Sequence, residues 1–269
     1  MLTPDAAQSA PPIAGACSVL SAALLQRPAQ ARVLAAMPRV LYLWVGPGHH
    51  DLLPVEASDG IGLPTAVRLP IPSRALDWGV DIGDQVAVGP AGIQLPTRTI
   101  RAGRLWRPER VQPLLGPLHH ELIAVLSAEL PPADPVDLSG HLVGSGQGLT
   151  PSGDDQICGA LLAWRAVGKE GLAAALWAEV GPRLHTTSSL SASLLRCAAE
   201  GYAVPAVTRW LAAVVAGDQV VARTLTPEVV ALGHSSGTEL IRGALTALRA
   251  ASTESREPES PAVLTKESR

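Results

Sequence analysis

The chain has 269 residues, 47% of them hydrophobic, with 21 basic and 24 acidic residues and a net charge of −3. That length and apolar content suit one large domain or two small ones, and with Phe absent the core must rest on Leu, Val, Ala and Ile. The charges are interspersed without a basic stripe, which argues against a nucleic-acid partner. No uncharged apolar run reaches the roughly 20 residues of a membrane span.

Residues 1–30 read as an N-terminal segment, Pro- and Ala-rich and disordered over 1–12, with a short helix across Ser18–Gln26. Ile13–Leu25 is mildly apolar, but no basic residue precedes it, against a secretory signal. Cys17, Cys158 and Cys197 lie far apart with no CxxC spacing, so neither a zinc site nor a disulfide framework is expected. A reducing, cytoplasmic location fits this usage.

Residues 31–110 carry short apolar runs separated by Gly, Pro and Asp: Arg39–Val45, Leu52–Val55, Ala66–Leu69, Val80–Val88 and Ile93–Leu95. Frequent turns between short runs predict a β-rich domain, a small barrel or sandwich. His49-His50-Asp51 follows Gly-Pro-Gly on a loop and is given no metal role. Thr97-Arg98-Thr99-Ile100-Arg101 leads into a strand pattern, not a helix, and is given no phosphate-binding role.

From residue 111 to 251 the period lengthens to that of helices. Leu114–Leu130 reads as a helix stopped by Pro131-Pro132, with His119-His120-Glu121 on an exposed turn. Further helices are expected at about 153–168, 171–179, 188–200, 205–216, 218–223, 227–232 and 236–250. Residues 252–269 are charged and Ser- and Pro-rich, and are expected to be a disordered tail. The fold class is therefore α+β, a β-rich N-terminal part followed by a mostly helical domain.

The segment Gly144-Ser145-Gly146-Gln147-Gly148-Leu149-Thr150-Pro151-Ser152-Gly153-Asp154-Asp155 carries the most chemistry. Glycines let backbone N–H groups approach a ligand, and a following helix offers unpaired N–H groups and a positive dipole end. The spacing matches neither a dinucleotide fingerprint nor a P-loop. We take Gly146, Gly148, Thr150, Ser152 and Gly153 as ligand-binding candidates. Asp154 and Asp155 are candidate catalytic residues and the candidate ligands for Mg²⁺; no other cofactor is indicated. The competing reading makes Ser152 and Asp155 a variant capping box.

This helix start recurs. Residues 152–166 align without gaps on residues 236–250, with nine of fifteen positions identical, including Ser-Gly at the start and Gly-Ala in mid-helix. A mid-helix Gly costs about 1 kcal/mol against Ala, which Gly159 and Gly243 could offset by letting two helices cross closely. We expect a pseudo-symmetric pair with both N-termini facing one site. His234, Ser235, Ser236 and Gly237 then join it: His234 as acid/base or ligand-orienting group, Ser236 with Glu239 alternatively as a capping box. Thr187, Ser188 and Ser191, from the hydroxyl run before another helix, are candidates for a third wall or for redundant capping.

Gly144–Asp155, Thr186–Leu195 and Gly233-His234-Ser235-Ser236-Gly237 together resemble the AllH-type family of bacterial proteins, whose signature reads G-x-G-x-G-L-T-P-S-G-D-D followed by G-H-S-S-G. The resemblance covers about 14–250 and is strongest in the C-terminal half. It implies a β-rich part followed by a helical part. It also implies a subunit of an oxamate carbamoyltransferase in allantoin degradation, interconverting oxalurate plus phosphate with oxamate plus carbamoyl phosphate. Its partners would be a small anionic metabolite and other subunits. A Mg²⁺-dependent phosphotransferase or hydrolase, and a non-catalytic assembly subunit, stay open as alternatives.

Overall fold

The computed structural model describes residues 11–254 apart from 47, 49–50 and 131–136. The expectations for residues 1–10, for His49 and His50 and for residues 255–269 lie outside the described residues.

Eight strands form a closed barrel: β1 Ile13–Ser18, β2 Ala29–Met37, β3 Val40–Trp44, β4 Leu52–Glu56, β5 Val67–Arg68, β6 Gln85–Gly89, β7 Gly92–Gln94 and β8 Thr99–Trp106. Their order around the barrel is β1-β5-β4-β3-β2-β6-β7-β8. Two seams are parallel, β1 with β8 and β4 with β5; the rest are antiparallel. In the closed order every described strand has a neighbour on both sides.

The barrel starts earlier than the composition suggests. β1 lies inside the segment read as an N-terminal extension, and only a 3₁₀ turn at Ala22–Leu25 remains of the expected short helix. The small residues of Ile-Ala-Gly-Ala-Cys-Ser have weak strand preference. Their pairing partner β8 lies more than 80 positions away, so no local pattern marks the strand.

β3 and β4 are apolar except for Glu56 at the end of β4, because both faces are covered. Leu41, Leu43, Leu53 and Val55 fill the barrel. Val40, Tyr42 and Leu52 face outward into a second core shared with the helices. In β2, Ala31 and Val33 point into the barrel. A register shift between Val33 and Ala35 then turns Ala35 toward the helical core.

The helical part comprises α1 His120–Glu129, α2 Ser152–Ala166, α3 Glu170–Val180, α4 Ser189–Ala199, α5 Pro205–Val215, α6 Gln219–Val230 and α7 Ser236–Glu254. No described helix is long and apolar enough to cross a membrane. α1 begins later than Leu114, since Pro117 disfavours helical backbone at the residue before it. The two short helices expected around Pro227 are one, α6. Buried Ala222, Leu225 and Val229 carry it past the missing N–H of Pro227.

α2 is central and buried on nearly every side. Its contacts with α7 advance together along both helices, from Gln156 with Glu239, through Gly159 with Leu240, to Trp164 with Ala247, so the two run parallel. A Cβ on Gly159 would sit closer than 3.0 Å to the Leu240 carbonyl oxygen, and one on Gly243 closer than 3.0 Å to that of Gln156. Leu240 and Gln156 are aligned positions of the repeat, so the contact is reciprocal. The two mid-helix glycines are there for backbone contact.

Candidate functional site

Parallel packing of α2 and α7 brings their starts together, as the repeat predicts. Thr150 Oγ1 and Ser236 Oγ lie 2.7 Å apart, and Gln156 Nε2 donates to Glu239 Oε2 at 2.7 Å. Neither serine closes a capping box. α2 begins at Ser152 without a side-chain cap. Its Gly153 N–H instead donates to the Ser145 carbonyl at 2.9 Å, and the Gly237 N–H of α7 donates to that of Leu232 at 3.0 Å. Glu239 is engaged by Gln156 and Arg242. Gly153 and Gly237 are also packing positions: a Cβ on either would strike the carbonyl of Leu142 or Val229.

The two adjacent aspartates have different environments. Successive residues on a helix point about 100° apart. Asp154 turns toward the loop, where Oδ1 accepts from the Gly144 N–H at 2.8 Å and Oδ2 from the Thr187 hydroxyl. Asp155 turns toward α7. It is 5% exposed, Ser236 hydrogen-bonds its carboxyl, and Oδ2 has no partner among the described residues. Burial pushes its carboxyl up to about 7; the Ser236 bond opposes this, and the charges of Asp154 and Glu239 add to it.

The hydroxyl run before α4 braces the glycine-rich loop. Thr187 holds Asp154, and Ser188 both donates to the Leu149 carbonyl and caps α4 by accepting from the Ser191 N–H at 3.0 Å. Ser191 is buried. His234 and Ser235 are exposed, and neither lines the cavity described below.

The loop has three left-handed glycines, Gly144 (φ +75°), Gly146 (φ +119°) and Gly148 (φ +91°). Its crest, Gly146 to Leu149, is exposed. The N–H groups from Gly146 to Thr150 have no hydrogen-bond partner among the described residues. Consecutive free N–H groups around left-handed residues form a concavity suited to an anion.

Beneath the loop, between the barrel and the helices, lies a cavity of about 230 Å³. Asp155, Thr150 and Ser236 supply its polar side; Leu162, Leu190, Leu194, Val207 and Leu240 are among its apolar lining. Cys158 also lines it, and burial holds that thiol well above its ordinary pKa, in the protonated form. Among the described residues, no Lys, Arg or His lines the cavity.

These donors do not fit Mg²⁺ shared by Asp154 and Asp155. The ion takes near-octahedral oxygen ligation, while both Asp154 oxygens already accept hydrogen bonds. No group of three or more His, Cys, Asp or Glu side chains that could hold a metal occurs among the described residues.

Sequence reasoning did not identify the residues that the barrel and the distant helices bring to the cavity, Tyr42, Leu63, Tyr202 and Val207 among them. It also missed Glu56, which ends the apolar strand β4. Glu56 is 1% exposed and accepts from the Gly62 and Leu63 N–H groups at 3.2 and 2.9 Å. Burial pushes its carboxyl up to about 7 against those bonds and the nearby Arg68 charge. An acid within an otherwise apolar run was the available signal.

Residues 142–248 match the model of the family described as oxamate carbamoyltransferase subunit AllH. The match bears out the resemblance of the glycine-rich and Gly233–Gly237 motifs and takes in α2 through most of α7; the barrel lies outside it. No curated protein and no solved structure matches the chain.

Proposed function

We propose that this chain is a subunit of an oxamate carbamoyltransferase-type complex and that it receives the carbamoyl-bearing substrate where α2 and α7 begin. The observation that carries the reading is the unpartnered, buried carboxyl oxygen of Asp155 beneath the glycine-rich loop, within the segment that matches the family. A carbamoyl group offers one acceptor oxygen and N–H donors. A carboxyl that exchanges a proton near pH 7 can complement both, donating to the oxygen when protonated and accepting from nitrogen.

The anionic end of the substrate belongs on the crest of the loop, against the free N–H groups from Gly146 to Thr150. The helix starts suit it less, because Gly153 and Gly237 have already spent their N–H groups on loop carbonyls. In the transfer, a phosphate oxygen attacks the carbamoyl carbon of oxalurate and the bond from that carbon to the oxamate nitrogen breaks. The leaving nitrogen takes a proton from Asp155, which regains one from the attacking hydrogen phosphate, so the carboxyl is unchanged over the cycle. Asp154, Thr187 and Ser188 are positioning residues that hold the loop over the cavity. We place the protein in the cytoplasm, in keeping with the free thiols of Cys17, Cys158 and Cys197.

The test is Asp155→Asn in the complex reconstituted with its partner subunits. The substitution keeps size and hydrogen bonding but removes the exchangeable proton. Carbamoyl transfer should fall at least about a hundredfold, the usual scale of general acid–base catalysis, with the circular-dichroism spectrum unchanged. Retained activity with altered stability alone would make Asp155 a structural residue of its own helix.

A further inference from the structure

A groove of about 530 Å³ opens where the barrel meets α5 and α6. Glu56, Gly62 and Arg68 line its barrel side, and Ala206, Arg209 and Glu228 line its helical side. Ile61 and Leu232 border both this groove and the cavity under the glycine-rich loop, but the two share no polar side chain.

Arg68 and Glu56 are register partners on β5 and β4, a placement at which opposite charges commonly pair. Here they do not. The Glu56 carboxyl turns instead to the Gly62 and Leu63 N–H groups, one on each oxygen. The Arg68 guanidinium lies over the Trp106 ring, 3.6 Å from its centre. Its Nε is buried without an acceptor, and the guanidinium makes no hydrogen bond or ion pair among the described residues. A Cβ on Gly62 would lie 2.8 Å from Arg68 Nη2, so glycine at this position leaves the head of the arginine uncovered.

The helical side adds a second donor. α5 starts at Pro205, which puts the Ala206 N–H in its first turn, at the positive end of the helix dipole. That N–H has no partner among the described residues. The acids of the groove are already engaged, Glu56 by the two backbone N–H groups and Glu228 by Arg209 at 3.0 Å. The groove therefore has donors to spare and needs acceptors.

We infer that this groove is a binding site for a small oxyanion, a carboxylate or a phosphate, held by the Arg68 guanidinium and the Ala206 N–H. The site is separate from Asp155 and does not depend on the carbamoyltransferase reading. A guanidinium offers parallel N–H donors to the two oxygens of such a group, and the anion compensates a half-buried cation that has no counter-ion in contact. Occupancy responds to pH through Glu56, whose carboxyl burial pushes up to about 7. Below that value it is neutral and leaves the Arg68 charge open to an anion; above it the carboxylate repels one. Among the groups around it, Tyr42 is pushed up to about 12 and stays neutral, Arg209 and Glu228 offset each other, and Glu109 opposes part of the Arg68 charge.

Titration calorimetry of the full chain with sulfate, inorganic phosphate and succinate tests the inference, with sulfate run at pH 5.5 and pH 8.5 because its charge is the same at both. Sulfate should bind about tenfold more weakly at the higher pH. Arg68→Gln should weaken every anion that binds by at least about tenfold. Ala206→Glu sets a carboxylate in the first turn of α5, where the dipole favours it, and within the groove beside Arg68; it should abolish anion binding with no loss of melting temperature. This second variant keeps the test decisive if Arg68→Gln does not fold.

Succinate binding without sulfate or phosphate would sustain the site and make its ligand a carboxylate; the reverse would make it a phosphate. No binding of any of the three anions overturns the inference, as does sulfate affinity that does not fall with pH. Binding that survives both variants also overturns it. Such a signal belongs to another part of the chain, the glycine-rich crest included, and leaves the carbamoyltransferase reading standing. Loss of transfer in Asp155→Asn with anion binding intact would show the two sites to be independent, as the inference requires.

Discussion

Replacing Asp155 by Asn should change how stability depends on pH more than it changes stability at any one pH. In the folded chain burial pushes the Asp155 carboxyl from 3.8 to about 7. Between those values the native state holds a proton that the unfolded chain has released, so stability falls as pH rises. Each unit corresponds to about 1.4 kcal/mol, so about three units remove about 4 kcal/mol between pH 4 and pH 8. Below pH 4 the group is neutral in both states and contributes no slope. Asn has no proton to lose. The variant's stability relative to the native sequence should therefore climb by about 4 kcal/mol over this range, a gap of roughly 10 °C in melting temperature for a chain of this size. Urea unfolding followed by circular dichroism at pH 4.5, 6.0 and 7.5 measures it. Parallel curves would show that the Asp155 carboxylate ionises freely and is reached by water. A gap of opposite sign would place a cation beside it. Either result would remove the physical basis for its proposed role.

Glu56→Gln shares one part of this behaviour and reverses another. Gln removes a carboxyl pushed up to about 7, but its amide cannot accept from both the Gly62 and Leu63 N–H groups. The variant should be about 1–3 kcal/mol less stable at pH 5 and close that gap by pH 8, in the same urea series. Gly159→Ala and Gly243→Ala each place a Cβ against a backbone carbonyl of the facing helix. Each should cost about 1–3 kcal/mol, and the double variant less than the sum, because separating the helices once relieves both contacts; thermal unfolding of all three proteins checks this. Asp154→Ala leaves the Gly144 N–H and the Thr187 hydroxyl without their acceptor. A loss of about 3 kcal/mol or more is expected, with limited proteolysis cutting within 144–150 in the variant and sparing that loop in the native protein.

What could be read in advance was what repeats locally. The Ser-Gly starts of α2 and α7, their mid-helix glycines and the convergence of Thr150 with Ser236 all follow from one ungapped alignment of the chain on itself. The β-rich character of the first part followed from its turn spacing. The barrel's closure did not, because β1 meets β8 and β5 across long stretches of chain and after Ile13 carries only small residues. The division of labour between Asp154 and Asp155 was equally hidden. The residues that distinguish them, Gly144, Thr187 and Ser236, come from three separate elements, and only the packed helix decides which carboxyl meets which. The cavity wall is a further step removed, since Tyr42, Leu63 and Val207 are ordinary core residues by every local measure.

The repeat also shows how a symmetric pair of helices leaves one exceptional carboxyl. Asp155 and Glu239 occupy the same position in the two copies, and three residues on the copies hold Cys158 and Arg242. In the α7 copy Arg242 pairs with Glu239, and Gln156 donates to the same carboxylate. That acid is neutralised within one helical turn. In the α2 copy the matching position carries a thiol that burial keeps protonated, so Asp155 has no cation within its own turn and keeps a bare oxygen. An arginine at 158 would have filled the space that the cavity occupies, since Cys158 is part of its lining. One difference between two copies of a helix thus produces two things together: an uncompensated carboxyl and an open chamber for a ligand to meet it. Burying that carboxyl is costly, and the close α2–α7 contact through Gly159 and Gly243 lies about one helical turn from it.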